Sequence, residues 1–248
     1  MSDPGRRLPP PWRAAFLPLF WLMTLAGPAT GQQAAEPPSS PPISPAEQAL
    51  FQDAHLKDLH PPVQLRYGFE RRTSVAGDPA ASFSDQVSLQ FGARPDGTCC
   101  TTQGQFLSGP RAMVLPDIES ASANPVTLFF LEREVRELQR VTGGQAAHFR
   151  RRIRLALADA AQVSATTVRH GGRELPATLI LITPYANDPL RSRFAAYAGT
   201  QYQFTLCSQV PGGVFSIRTT VPASEGENQP DRPPRSEETL SLLSTSPG

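Results

Sequence analysis

The chain has 248 residues, a formal net charge of +1, 18% charged residues and 27 prolines. So balanced a charge removes any global electrostatic argument for nucleic acid or for a strongly acidic partner, and no nucleic-acid partner is expected. The three cysteines are too few for a disulfide scaffold. Without CxxC spacing or a neighbouring histidine they also lack the usual zinc pattern, so neither a metal nor a cofactor is expected.

At the N-terminus, Arg6, Arg7 and Arg13 precede the apolar run Ala14 to Ala26, and small residues follow around Ala29, Thr30 and Gly31. This is the three-part layout of a secretory signal peptide, which assigns residues 1–31 to export and the mature protein to the periplasm or the medium. The run falls short of the roughly 20 residues a membrane-spanning helix needs, so no transmembrane anchor is expected after cleavage. The first cysteine is Cys99, far from any cleavage site, which argues against a lipoprotein. Leu8 to Pro11 behind the twin arginine lack the Phe-Leu-Lys pattern of folded-protein export, so ordinary secretion is expected.

Residues 32–45 are rich in Pro, Ser and Ala and read as a flexible leader that cannot bury enough apolar surface to fold. A single domain is expected over 46–222. Ala46 to Leu59 carries Leu50, Phe51, Ala54, Leu56 and Leu59 near helical spacing and is stopped by Pro61-Pro62, which predicts a first short helix. Alternation then marks strands: Val63, Leu65, Tyr67 and Phe69 in one, Phe83, Val87, Leu89 and Phe91 in the next. Pro95-Asp96-Gly97 turns the chain into a third strand from Thr98, and Ser108-Gly109-Pro110 turns it into Ala112 to Leu115. Cys99 and Cys100 face opposite sides of a regular strand, so either one, but not both, can reach Cys207.

Asn124 as N-cap and Pro125 at the first helical position open a helix whose apolar stripe runs through Leu128, Leu131, Val135 and Leu138, with Phe130 and Val141 widening it. Gly143-Gly144 closes it. A second helix carries Ala146, Phe149, Ile153, Ala156, Leu157 and Ala160 on one side and a run of arginines on the other. Strands resume with Val163 to His170 and with Leu175 to Thr183, the latter so apolar that it is expected at the centre of the sheet, covered on both faces. A helical turn at Leu190 to Tyr197 and two alternating strands, around Tyr202 to Leu206 and Phe215 to Val221, complete the domain. Residues 223–248 mix Glu, Asn, Pro, Arg and Ser and are expected to form a disordered tail.

Strands, a helical pair and more strands make an α+β fold, a curved antiparallel β-sheet packed against a two-helix hairpin. In that architecture the chain resembles the exported lipoprotein-carrier group. The stretch from Asn124-Pro125 through LFFLEREVRELQRVTGG and HFRRRIRLALADA also resembles exported bacterial proteins of unknown function, which implies export but no activity.

A curved sheet over helices offers a concave apolar surface, whose candidate lining is Tyr67, Phe69, Phe91, Phe130, Tyr202 and Phe204, with Leu89 and Phe129 beside them. The competing reading is that these residues pack the core. Arg150, Arg151 and Arg154 form a candidate basic face for phosphate, anionic lipid or an acidic partner; the competing reading is a solvated face neutralised by Glu132, Glu134 and Glu137. An enzyme would have to draw on His60, His148, His170, Asp188, Glu132 or Tyr185, and no catalytic motif joins them. The expected function is therefore a non-catalytic envelope domain that binds a lipid, another apolar ligand or an envelope protein. The alternatives are a structural envelope protein without a small ligand, and a hydrolase with an unrecognised site. An apolar hollow between sheet and helices favours carriage, a filled core favours a scaffold, and a polar cleft of carboxylates favours the enzyme.

Overall fold

The structure, a computed structural model, describes residues 42–76, 81–223 and 233–247. The expected signal peptide and the expected leader as far as residue 41 lie outside them. Ser44 and Glu47 exchange side-chain and backbone hydrogen bonds in a capping box, with Pro45 at the first helical position, and open α1 (Pro45–Glu47), which widens into a π turn over Gln48–Gln52. The helix expected to reach Leu59 ends there because the backbone finds partners elsewhere: the Leu56 N–H donates to the Ser122 carbonyl at 3.1 Å. Leu56 and Leu59 are buried all the same.

Alternating sequences become β1 (Val63–Thr73), β2 (Phe83–Ala93), β3 (Cys99–Phe106) and the two-residue β4 (Met113–Val114). The helical hairpin follows as α2 (Val126–Thr142) and α3 (Ala146–Asp159). Asn124 caps α2 through its side chain, which accepts from the Val126 N–H at 3.1 Å. Gly143 ends the helix at a φ of 67°, a left-handed conformation that side chains disfavour. Leu128, assigned to the apolar stripe, is 54% exposed. Thr127, Phe129, Phe130 and Glu134 are buried instead, so the buried face of α2 is rotated from the sequence stripe.

The remaining strands are β5 (Gln162–His170), β6 (Arg173–Ile182), β7 (Gln201–Leu206), β8 (Val214–Val221) and β9 (Ser236–Pro247), with a short helical turn at Arg191–Tyr197 before β7. All nine strands join one curved antiparallel sheet in the order β4-β3-β2-β1-β9-β8-β7-β6-β5. The α+β class is as expected. Two placements differ from expectation. β6 lies one strand from the edge rather than at the centre; of its apolar run, Ile180 and Ile182 are buried while Leu179 and Leu181 are only partly so.

The larger correction concerns the tail. Residues 236–247 are not disordered but form the central strand, with β1 on one side and β8 on the other. The chain from Pro42 onward is one unit, so the domain does not end at residue 222. Ser236, Glu238, Leu240 and Leu242 face inward and Glu237, Thr239 and Ser241 outward, an ordinary strand alternation with a carboxylate among its inward residues. That carboxylate makes the segment read as polar, and its partners lie far away in sequence.

The cysteines are also corrected. Cys99 and Cys100 are bridged to each other, and Cys207 is a free, buried thiol. The pairing register slips opposite them, between Gly92 and Ala93, so the alternation of a regular strand does not hold there.

Candidate functional site

The space between hairpin and sheet is filled. Tyr67, Phe69, Phe91, Phe130, Tyr202 and Phe204 are all at most 2% exposed. Phe69 stacks on Phe83 at 5.6 Å and meets Phe106 and Phe130 at 6.3 and 6.4 Å, while Tyr202 belongs to a second cluster with Tyr185, Phe149 and Phe194. Edge-to-face and offset rings at such distances are ordinary core packing. The Tyr67 hydroxyl accepts from Asn124 Nδ2 at 2.8 Å, and burial pushes its pKa up. The six proposed lining residues therefore line no open hollow.

Inside this interior sits a charge cluster. Glu238 of β9 is paired with Arg71 of β1 and with Arg133 of α2, and Arg133 also reaches Glu134 at 2.7 Å. Arg71, Glu134 and Glu238 are each less than 10% exposed. A void of about 30 Å³ adjoins them, lined also by Tyr202 and Thr219, whose buried hydroxyls lie beside Tyr185 and Glu134 respectively. Burial raises the Glu134 carboxyl well above its usual range, and the adjacent Glu238 charge adds to the effect. Burial pushes Glu238 the same way, but the Arg133 and Arg71 guanidiniums outweigh it and hold Glu238 low. Two arginines thus favour the ionised form of Glu238, while burial and the neighbouring Glu238 charge disfavour ionisation of Glu134 beside it. The cluster joins three elements, and each isolated charge would be costly to bury alone.

An open concavity with an apolar wall lies where α2 passes the margin of β2 to β4. It measures about 600 Å³ and is lined by Phe83, Leu107, Met113, Arg111, Arg133, Arg136, Glu137 and Arg140, among others. Phe83 is half-buried and in contact with the core through Phe69. Arg111 lies over the Phe83 ring at 4.3 Å and Arg133 over the Phe69 ring at 4.7 Å, both in cation–π contact. Leu107, at the floor, holds a left-handed φ of 63°. For a branched side chain this conformation costs on the order of 1–3 kcal/mol and is held by its surroundings; here the Leu107 N–H donates to Gln86 and its carbonyl accepts from Gln105.

None of the groove residues was proposed as a site residue from the sequence, although Phe83 was placed on its strand and one further signal was present. Arg133, Arg136 and Arg140 recur at steps of three and four and so share a helix face. Phe83, Leu107, Met113 and Arg111 come from separate turns and strands, which only the fold brings together.

Arg150, Arg151 and Arg154 are exposed on α3. Arg150 is bound to Glu132 at 2.8 and 2.9 Å across the hairpin. Of the residues an enzyme would need, His148 and Asp188 meet, at 2.7 Å. Asp188 also accepts from the Leu190 N–H at 2.8 Å and lies 3.3 Å from Arg152, so it fastens the 184–190 loop to α3. Among the described residues no serine, threonine or cysteine bonds to His148. His170 rests against Phe215, Glu132 pairs with arginines, and Tyr185 is fully buried. Nor, among the described residues, does any group of three or more His, Cys, Asp or Glu side chains come together as a metal site, and no helix is long and apolar enough to cross a membrane.

No protein-family model and no curated protein matches this chain. Among solved structures it is similar to the Mycobacterium tuberculosis lipoprotein LppX, with 9% identity and a TM-score of 0.31 over 73% of this chain and 84% of that one. It is also similar to a LolA superfamily protein from Nitrosomonas europaea, with 8% identity and a TM-score of 0.21 over 82% of this chain and 93% of the other. Neither likeness transfers a ligand or an activity.

Proposed function

We propose that this is an exported, non-catalytic binding domain that holds an apolar or amphiphilic ligand in the groove between α2 and the β2–β4 margin. The observation that carries this reading is the groove itself: about 600 Å³ of open space with Phe83, Leu107 and Met113 on its wall, next to an interior that is otherwise closed. Ligand sites are characteristically concave, largely apolar and furnished with a few convergent polar groups, and this place combines all three. Of the six residues Tyr67, Phe69, Phe91, Phe130, Tyr202 and Phe204, Phe69 and Phe130 act in this reading as the rigid support of the groove, with Phe69 directly behind Phe83. Arg150, Arg151 and Arg154 extend the basic character of the hairpin beyond Glu132. The basic, apolar and small-residue order of residues 1–31 supports export.

The test is lipid extraction and mass spectrometry of protein purified from its native compartment, followed by titration of the stripped protein with a fluorescent fatty acid. Co-purified amphiphile and saturable binding that Phe83→Ser and Met113→Ser weaken are expected. Turnover of a small substrate by the purified protein overturns the non-catalytic reading. A second reading, a structural envelope protein without a small ligand, is favoured by the filled interior; it requires that no amphiphile co-purifies and that the groove variants change no binding.

A further inference from the structure

We propose that the ligand's polar end is an anion, a carboxylate or a phosphate, and that Arg111 and Arg136 hold it at the rim while the tail lies on Phe83, Leu107 and Met113. This rests on the groove being a ligand site. The groove lining carries Arg111, Arg133, Arg136 and Arg140 against Glu137 as the acidic lining residue. What decides the matter is how each guanidinium is already engaged.

Arg133 is committed to the interior through Glu238 and Glu134. Arg140 is held by Glu137 through two bonds of 2.9 and 2.6 Å. Arg136 is in a different position: its carboxylate, Glu132, sits at 3.0 Å but is shared with Arg150, which takes it through two bonds. One carboxylate serving two guanidiniums leaves a surplus of positive charge at Arg136. Arg111 is the least committed. Its acidic neighbour Asp85 is 3.7 Å away and already accepts from the Gln86 N–H, the Ser108 N–H and the Ser108 hydroxyl. The guanidinium of Arg111 uses its flat face on the Phe83 ring, which leaves its edge, where the N–H donors are, for another group.

A planar guanidinium stacked on an aromatic ring, whose donor edge meets its carboxylate neighbour only through Nε at 3.7 Å, is suited to a further carboxylate or phosphate, which it can take through its terminal N–H groups. The same stacking places the anion next to an apolar wall. A free inorganic anion would make no use of Phe83, Leu107 and Met113, and a neutral chain would make no use of the arginines, so a single-chain anionic amphiphile is the occupant that satisfies both.

The experiment uses the mature full chain and three probes: a dansyl-labelled undecanoic acid, its methyl ester and inorganic phosphate. The acid should bind about tenfold more tightly than the ester, the order expected when a charge-assisted pair at a half-exposed site is lost. The double variant Arg111→Gln, Arg136→Gln should remove that preference by weakening the acid and leaving the ester unchanged, with a thermal melt matching the parent's. Millimolar phosphate should fail to displace the acid. Equal binding of acid and ester by the parent overturns the anionic assignment while leaving the groove reading intact, and absence of binding by both overturns the two together. A preference that survives in the double variant removes the arginines from the site, and displacement by phosphate alone shows a free-anion site instead of an amphiphile site.

Discussion

The two wings of the sheet are finished differently. Over β5 to β8, α3, α1 and the turn at Arg191–Tyr197 close the face: Phe149, Tyr185, Phe194 and Tyr202 meet edge to face at 5.6 to 6.4 Å, and the His148–Asp188–Arg152 contacts seal the rim. Over β1 to β4 the cover is α2 alone, and Phe83 at the margin stays half-exposed beside the groove. The cause is one of size. Nine strands at about 4.8 Å spacing make a sheet nearly 40 Å wide, whereas two helices of about 10 Å diameter cover roughly half of that. Both helices lie in the chain between the two wings, and the loops that complete the cover follow β6. The surplus of sheet is therefore left on the β2–β4 side, which is where a ligand can be taken.

That contrast presupposes a sheet that is continuous, and continuity depends on β9. A chain ending at Pro234 should lose both wings together, with no cooperative thermal transition and a collapsed near-ultraviolet dichroism, because the removed strand is the one joining β1 to β8. Survival of a folded β5–β8 wing would show that the two wings are independent and that the comparison describes two bodies. Next in size is Glu238→Ala. It removes the carboxylate shared by Arg71 and Arg133 and leaves Glu134 as the carboxyl beside Arg133, a change of about 3–5 kcal/mol by urea denaturation if the cluster holds helix and sheet together. A cost below about 1 kcal/mol, the range of a surface pair, would mean water reaches these charges. Smaller again is Asn124→Ala, at about 2–3 kcal/mol, since the change removes a helix cap, leaves the buried Tyr67 hydroxyl without its donor and takes from the Gly212 carbonyl one of two donors, the other being the Val214 N–H. If the cost matches that of a cap alone, about 1 kcal/mol, then Tyr67 and Gly212 are hydrated in the native protein.

Much of this fold was legible because its elements are locally encoded. Period-two alternation marked β1, β2, β7 and β8, and the Asn124 cap with Gly143 bounded the first helix of the hairpin nearly to the residue. β9 failed the same test for a physical reason. Glu238 stands at an inward position that local patterning reserves for apolar residues, and what makes it tolerable are guanidiniums 105 and 167 residues away. Burial of Glu134 on α2 escaped notice likewise, and the rotated helix face that exposes Leu128 goes with it. β6 was placed centrally from its composition, which reports apolarity but not strand order. As for the groove, its arginine stripe could be read from spacing alone. Its apolar wall could not, because Phe83, Leu107 and Met113 are neighbours only after β2, β3 and β4 have paired.

The smallest effect expected, and the one with an unusual sign, belongs to Glu134→Gln. Glu134 and Glu238 compete for the same positive charge. Glu238 has both Arg71 and Arg133, whereas Glu134 has Arg133 alone, so the protonated form is favoured at Glu134 rather than at Glu238. Its folded pKa therefore lies above the usual value of 4.5. A carboxyl that keeps its proton in the fold but loses it in the unfolded chain makes the native state progressively less stable as pH rises from 4.5 through the raised folded value. Glu238, held low, has the opposite sign, and its contribution is lost only as pH falls below 4.5 through its folded value. The two windows lie on either side of the ordinary glutamate pKa and can be separated. Glutamine at position 134 retains a donor toward Glu238 and has nothing to ionise. The variant should match the parent near pH 5 and become the more stable of the two by pH 8, in urea titrations at several pH values. Parallel pH profiles would show that Glu134 is ionised in the fold, which would mean that water reaches the cluster joining α2 to β1 and β9.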